Sequence, residues 1–453
     1  MKVVIVGGGI GGVATYLALR KHLADASPSV ELVLLEAHPT ISATTAAISG
    51  GIGLPSNGLR AIAQIAPDAA TYIRERGFLA ESTTFRNSKG ALLGRQRLGG
   101  AKHPCKRRPH WHSGGVLMVS RAVVHDALVR ELRPREMTLG KRVRSVKEVG
   151  ESVEITFEDG EVEHADLVIG ADGPCSVVRE GILGDRYAAK VVSSRSVGGF
   201  VLISSLSDGF RASLQRDPVT TTFGANGFFG YSPCSPDLTH PKSSTLMWWS
   251  SYEGGETSQS EPLLPETILP QLLERHASWR SVVDADAETA TAFRELITAG
   301  CSSPDFYTLP TCVFPCLPRC NTPSGRVVLI GNAAHPDYGL GVASAAEDAI
   351  TLALLLKHYR VSHRFAVREA LRRTAAGFDA VRMKSRRVGR LGMYRPQVGH
   401  VHGWWQEKVR DWTIWLMTKL PESLSDPQAG YDLETAIARY ITKSGCDKEL
   451  ISR

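Results

Sequence analysis

Gly7, Gly9 and Gly12 stand in a G-x-G-x-x-G spacing directly after the β-branched run Lys2–Val6, and Ile10, Val13, Ala14, Leu17 and Ala18 then recur at helical intervals. That order reads as strand, tight turn, helix. In such a turn the first glycine permits the bend, the second lets backbone approach a pyrophosphate, and the third lets helix and strand pack closely. The helix start adds unpaired N–H groups and the positive end of a dipole. A second apolar run, residues 32–35, ends on Glu36, whose carboxylate can accept hydrogen bonds from an adenosine ribose. An acid there disfavours a 2′-phosphate, so the spacing points to FAD or NAD rather than NADP.

Two further segments carry the chemistry onward. Residues 166–179 read Asp-Leu-Val-Ile-Gly-Ala-Asp-Gly-Pro-Cys-Ser-Val-Val-Arg, and residues 331–336 read Gly-Asn-Ala-Ala-His-Pro, running on to Gly339, Gly341, Glu347 and Asp348. Singly, Asp172-Gly173 would be an ordinary turn and Glu347-Asp348 a helix-start acidic pair. In order, and with residues 52–60 and Ser120-Arg121, they resemble the second and third fingerprints and the flavin-side segments of the FAD-dependent aromatic hydroxylases. These are class A flavoprotein monooxygenases, the group of p-hydroxybenzoate and salicylate hydroxylases.

The resemblance implies bound FAD, NAD(P)H as a transient co-substrate, and O2. It implies hydroxylation or epoxidation of an aromatic or secondary-metabolite-like organic substrate through a flavin C4a-hydroperoxide. Glu36 and Arg121 would hold the adenosine and pyrophosphate side, and Asp172 would assist FAD and reduced nicotinamide. Gly331 and Asn332 would lie along the ribityl chain, with Gly339, Gly341 and Val342 at the flavin pyrimidine edge. The family usually carries aspartate where this chain has Asn332, and losing that charge weakens a hydrogen bond by about 1 kcal/mol. The stretch after His335 is shorter than the family's. Asp337 and Tyr338 replace its proline, and Ser344 replaces its asparagine. These departures motivate an alternative: the same fold with a structural flavin, catalysing a non-oxidative cyclisation or isomerisation.

Candidate catalytic residues are Tyr338, Tyr231 and His335. Phe228, Phe229, Tyr231, Trp248 and Trp249 are candidate walls of a substrate pocket, although strand alternation would turn only some of them inward. Cys312, Cys316 and Cys320 are spaced by four, but Pro315 and Pro318 break any helix that would align them, so no metal site is expected. Lys106, Arg107 and Arg108 read as a solvated loop. Trp404, Trp405, Trp412 and Trp415 read as a core-facing stripe or a membrane-touching surface, and the core or a dimer contact is the expectation.

These groups need scaffolding. At 453 residues the chain exceeds the roughly 250 at which one core stops growing, so two or three interleaved domains are expected. The fold class read here is α/β: a Rossmann-type FAD-binding domain (residues 1–75, 105–185 and 300–365) interleaved with a mainly antiparallel β-sheet substrate domain (76–104 and 186–299), plus C-terminal helices (366–453). Within it, a helix is predicted over 119–132, paired strands over 143–157 with a turn at 158–160, a strand over 325–331 and a helix over 345–356. The net charge of +7 is spread along the chain, which gives no support to nucleic-acid binding. Eight cysteines, in a chain opening directly on a strand, suit a reducing, cytoplasmic setting. Apolar runs fall short of the roughly 20 residues of a spanning helix; membrane contact is not expected, and a monomer or homodimer is.

Overall fold

The aliphatic runs Lys2–Val6, Glu31–Leu35, Leu167–Gly170 and Val327–Leu329 pair in parallel, as near-continuous apolar strands do when both their faces are covered. The computed structural model describes every residue except 27–28, 99–114, 226, 237, 239–243, 254–263, 282–291, 314, 316, 336–340, 390–400, 402, 421–431 and 444–453. Among the described residues the parallel sheet has five strands, in the order Val327, Leu167, Lys2, Glu31 and Met137–Thr138. Helix Ile10–His22 joins the two central strands and packs against helix Gly341–Lys357. The strand order reverses beside Lys2–Val6, and the crevice beyond the strand ends at such a point is where nucleotides bind in open α/β sheets.

The hairpin over 143–165 forms as read, as strands Val143–Val149, Ser152–Phe157 and Val162–Ala165. The helix predicted over 119–132 is corrected. Val119 belongs to strand Val116–Ser120, which pairs with Gly51–Pro55 and Phe78–Ala80, and the helix runs Arg121–Val129. The Ser120 side chain decides the boundary by accepting from the Ala122 N–H at 3.2 Å, an N-cap the periodicity alone does not show. The predicted strand at 325–331 contracts to Val327–Leu329, and the helix after it begins earlier, at Gly341.

A second layer is a seven-stranded sheet in the order Tyr307–Val313, Lys190–Leu202, Thr245–Glu253, Gly227–Pro233, Thr220–Gly224, Ser82–Asn87 and Leu92–Arg97. Every pairing is antiparallel except Thr220–Gly224 with Ser82–Asn87. The mixed α/β reading with a mainly antiparallel second layer therefore stands. One face of this sheet is packed solid against helices Asp208–Arg216, Pro265–Arg275 and Ala292–Cys301. Its other face turns toward the strands Gly51–Pro55 and Val116–Ser120.

His276 sits inside the packed face. It is buried, with Nδ1 2.8 Å from the Leu272 carbonyl and its ring against Trp279 and Phe229 at 4.5 and 5.2 Å between centroids. Burial pushes its pKa down from 6.5 to about 4. The unfolded chain therefore binds this proton first as pH falls, so the stability His276 contributes is complete above pH 6.5 and is lost progressively toward pH 4. Thermal melts between those limits are expected to show a shallower pH dependence for His276→Phe than for the native chain. Equal slopes would contradict the assignment.

Candidate functional site

The glycine turn has the division of labour read from its spacing. Gly7 has φ +105°, and a Cβ there would lie 2.7 Å from the Ala171 carbonyl oxygen. A Cβ on Gly12 would collide with the Gly7 carbonyl, so this glycine is a packing contact between helix and strand. Gly9 differs: a Cβ there would meet only the Ile48 side chain, at 3.8 Å, and otherwise open space. Helix Ile10–His22 has neither a side-chain cap nor an acid in its first turn, so its first N–H groups face that space. An open cradle of backbone donors at Gly9, walled by Gly7 and Gly12, fits the pyrophosphate of FAD.

Glu36 closes one side of the cradle. Its buried carboxylate accepts from the Gly8 N–H at 2.7 Å and from the His38 N–H at 2.8 Å, with His38 Nδ1 at 2.6 Å. Burial alone would raise its pKa, but the His38 and Gly8 contacts outweigh that and hold it below the usual range, so the group is ionised. His125, also buried, braces the turn from beneath, with Nε2 2.9 Å from the Gly8 carbonyl and Nδ1 2.9 Å from Thr45 Oγ1. Asp172 accepts from Ser176 Oγ at 2.6 Å and from the Val178 N–H at 3.2 Å, so its carboxylate caps helix Val177–Leu183. Burial raises its pKa despite those bonds.

Gly331, His335 and helix Gly341–Lys357 are held by a buried ionic network. Arg382, on helix Val367–Gly389, donates to Asp348 Oδ1 and Glu347 Oε2, both at 2.6 Å. Asp348 Oδ2 accepts from the Gly331 N–H at 2.9 Å and lies 2.8 Å from His335 Nε2. Glu347 Oε1 accepts from Asn57 Nδ2 at 2.7 Å. Burial disfavours the Arg382 charge, but the two carboxylates hold its pKa above the ordinary value. The acidic pair read as a helix-start feature is thus the anchor for both ends of the segment. His335, a candidate catalyst from sequence, is tied into this network. Asn332 is exposed, and a Cβ on Gly341 would lie 2.9 Å from its side-chain oxygen, which places the carboxamide at the start of helix Gly341–Lys357. Val342 is buried beside it. Gly339 and Tyr338 lie outside the described residues, as does the basic loop at 106–108.

The five pocket aromatics divide. Trp248, Phe229 and Tyr231 are buried in the cluster with Phe210 and Phe293, on the helix-covered face. This corrects their assignment as pocket walls and removes Tyr231 as a catalytic candidate, because alternation along each strand turns them away from the glycine turn. Trp249 and Phe228 point to the opposite face, where Trp249 pairs in register with Gly198 and Gly230. A Cβ on Gly230 would enter the Trp249 indole, so glycine lets that ring lie flat on the strand. Phe228 packs on Phe223 at 6.0 Å, farther along the same face.

At the near end of that face Tyr307, Phe200 and Met247 approach the strand Gly51–Pro55. The Tyr307 ring lies 3.2 Å from a Cβ built on Gly50 and 6.4 Å from the Phe200 ring. Arg121 reaches into the same seam, its backbone N–H held by the Gly50 carbonyl at 2.9 Å. Among the described residues no carboxylate pairs with it. Burial lowers its pKa, opposed by Tyr307. Tyr307 itself is raised by burial, opposed by the Arg121 charge. Sequence reading missed Tyr307, Met247, His125 and Arg382. For Arg382 a signal exists: Leu371, Ala375, Phe378 and Arg382 recur at helical spacing, so a charge interrupts an apolar stripe. Tyr307 has none, because which of Phe306 and Tyr307 faces the seam depends on strand register.

Removing Arg382 strands two buried carboxylates. Arg382→Met is therefore expected to destabilise the chain by about 3–5 kcal/mol, and Arg382→Lys to recover only part of that, since one ammonium cannot reproduce the two-pronged geometry. Denaturant unfolding measures both; a loss under about 1 kcal/mol would show the network to be dispensable.

No family model matches the chain. Salicylate hydroxylase of Pseudomonas putida is 30% identical over 371 residues, covering 79% of this chain and 76% of that one. Aurachin C monooxygenase/isomerase of Stigmatella aurantiaca is 23% identical over 431 residues, 94% of each chain. Among solved structures, Klebsiella pneumoniae HpxO complexed with FAD and uric acid has the same fold, with a TM-score of 0.71 and 20% identity over 97% of both chains. With its glycine cradle, Glu36 and anchored Gly331 and His335 following in that order, the chain belongs to the FAD-dependent aromatic hydroxylases and is a flavoprotein monooxygenase.

Proposed function

We propose that this monooxygenase hydroxylates or epoxidises a small, electron-rich aromatic or secondary-metabolite-like molecule bound in the seam of Phe200, Met247, Trp249 and Tyr307. One observation carries the reading. The seven-stranded sheet is packed solid on one face, while its other face presents half-buried Phe200 and Trp249 toward Met118 and Val116, and half-buried Tyr307 toward Gly50 and Arg121. Relatives named for salicylate, and crystallised with uric acid, support a small planar substrate.

When bound, FAD reduced by NAD(P)H activates O2 and supplies the transferred oxygen atom. The chain's own residues do the rest. Gly9 and the first N–H groups of helix Ile10–His22 receive the pyrophosphate. Glu36 has roughly four acceptor directions and uses three on Gly8 and His38, leaving one for a ribose hydroxyl. Arg121, a half-buried cation with no carboxylate partner among the described residues, is offered to the pyrophosphate. Gly331 and Asn332 would line the ribityl side, and Gly341 and Val342 the pyrimidine edge. Helix Gly341–Lys357, with no acid in its first turn, would offer its positive end to negative charge on a reduced flavin. The apolar seam excludes water from the reacting atoms.

Gly9→Val is expected to fold, since extended backbone at φ −71° tolerates valine and its branches meet open space, yet to lose FAD affinity by at least ~100-fold. Gly12→Val is expected to damage the fold itself. Flavin absorbance per folded chain separates the two, and a yellow, folded Gly9→Val protein would contradict the cradle.

The reaction is tested with purified holoprotein, NADH or NADPH, and a panel of aromatic acids, phenols and larger aromatic metabolites. Substrate-stimulated NAD(P)H oxidation with one labelled oxygen atom from O2 in the product is the expected result. Turnover of the true substrate without oxygen and without NAD(P)H would sink it and favour cyclisation or isomerisation.

A further inference from the structure

The tryptophan stripe near the C-terminus does not face the core. Helix Trp404–Met417 buries Arg410 and Ile414, the latter against Phe85, Leu93 and Phe223, at the outer edge of the same sheet face that forms the seam. Arg410 donates to the Gly224 carbonyl and to Asp411, and Asp411 accepts from Asn87 at 3.1 Å, so the helix is fixed in orientation. Everything opposite is exposed: Trp404, Trp405 and Trp412 each remain about two-thirds accessible, with Val409, Trp415, Leu416 and Leu420 beside them. At about 100° per residue these positions fall within one arc of roughly 160°.

The charges on that arc are of one sign. Lys408 and Lys419 project from it, both exposed, while Glu407 and Asp411 fall on the protein side. The sequence leading into the helix continues the bias: between the buried, paired Arg382 and Glu407 it holds Lys384, Arg386, Arg387, Arg390 and Arg395 and no acid. A second copy of the chain is a poor occupant for this face. A two-fold contact would set the arc against itself, bringing Lys408 and Lys419 together with no carboxylate on the arc among the described residues. A bilayer with anionic headgroups matches both features, because indole rings sit at the headgroup boundary and lysines are drawn to negative lipid.

We propose that helix Trp404–Met417 is a docking element that seats the enzyme peripherally on an anionic lipid surface, with its indoles in the headgroup layer. Among the described residues no helix is long and apolar enough to cross a membrane, so the contact is with one leaflet. The proposal does not rest on the substrate assignment. It does place the outer edge of the substrate-facing sheet next to the lipid.

The test is co-sedimentation of full-length holoprotein with sucrose-loaded vesicles, either phosphatidylcholine alone or phosphatidylcholine with about one third phosphatidylserine. Pelleting with the anionic vesicles, weakened when salt rises from about 0.1 to about 0.5 M, is expected. The double variant Trp405→Gln/Trp412→Gln is expected to lose at least ~10-fold in vesicle affinity while keeping flavin content and melting temperature, since both side chains are exposed. Lys408→Glu/Lys419→Glu is expected to lose the preference for anionic vesicles. No pelleting, equal binding to both vesicle types, or undiminished binding of the tryptophan variant would each overturn the proposal. So would a solution dimer, dissolved by the tryptophan variant, in protein that ignores vesicles.

Discussion

A guanidinium with no access to water, Arg382, holds two carboxylates that would otherwise be intolerable in the core. The rest of the cofactor side depends on this interaction. Asp348 is free to cap Gly331 and to meet His335 only because Arg382 offsets its burial, and Glu347 reaches Asn57 on the same terms. The network therefore ties three separate stretches of chain to helix Gly341–Lys357: helix Ser56–Ile65, the Gly331 segment and helix Val367–Gly389. An apolar core could pack these helices equally well. It could not direct the Gly331 N–H and the start of helix Gly341–Lys357 toward one place, because dispersion has no direction and hydrogen bonds do.

The second constraint is glycine at contacts between layers. Gly50 and Gly51 let Tyr307 and Met247 approach the strand that carries them, and Gly230 lets Trp249 lie flat. Without these glycines the antiparallel layer would stand off from the nucleotide-binding layer by the width of a side chain. The seam is thus made by omission of side chains on one wall and aromatic bulk on the other. Among the described residues Arg121 brings a positive charge to that contact without a carboxylate partner, which gives the seam an electrostatic direction toward an anion.

Much of the nucleotide half was legible beforehand, because its signals are local. Gly7, Gly9 and Gly12 act within one turn, Glu36 closes one strand-helix-strand unit, and residues 143–165 form consecutive hairpins. The misreadings share a cause. The helix predicted through Val119 failed because a Ser120 cap and a strand partner at Gly51–Pro55 lie outside a periodicity window. The aromatics of the middle layer were found, but Trp248 and Trp249 are neighbours that face opposite ways, and only register decides which one sees the seam. Large apolar residues usually face a core or a partner, which is the expectation for the tryptophans of helix Trp404–Met417; burial of Arg410 and Ile414 on the reverse face turns them outward.

What the sequence determined by itself is the fold class, the glycine turn between strand and helix, and the family, since each rests on residue types at short, ordered spacing along one chain. What only the tertiary structure decided is the pairing of Arg382 with Glu347 and Asp348, the meeting of Arg121 with Tyr307, and the inward or outward sense of each aromatic. Those depend on contacts between residues tens to hundreds of positions apart. Their energy lies in burial and geometry, which no local spacing encodes.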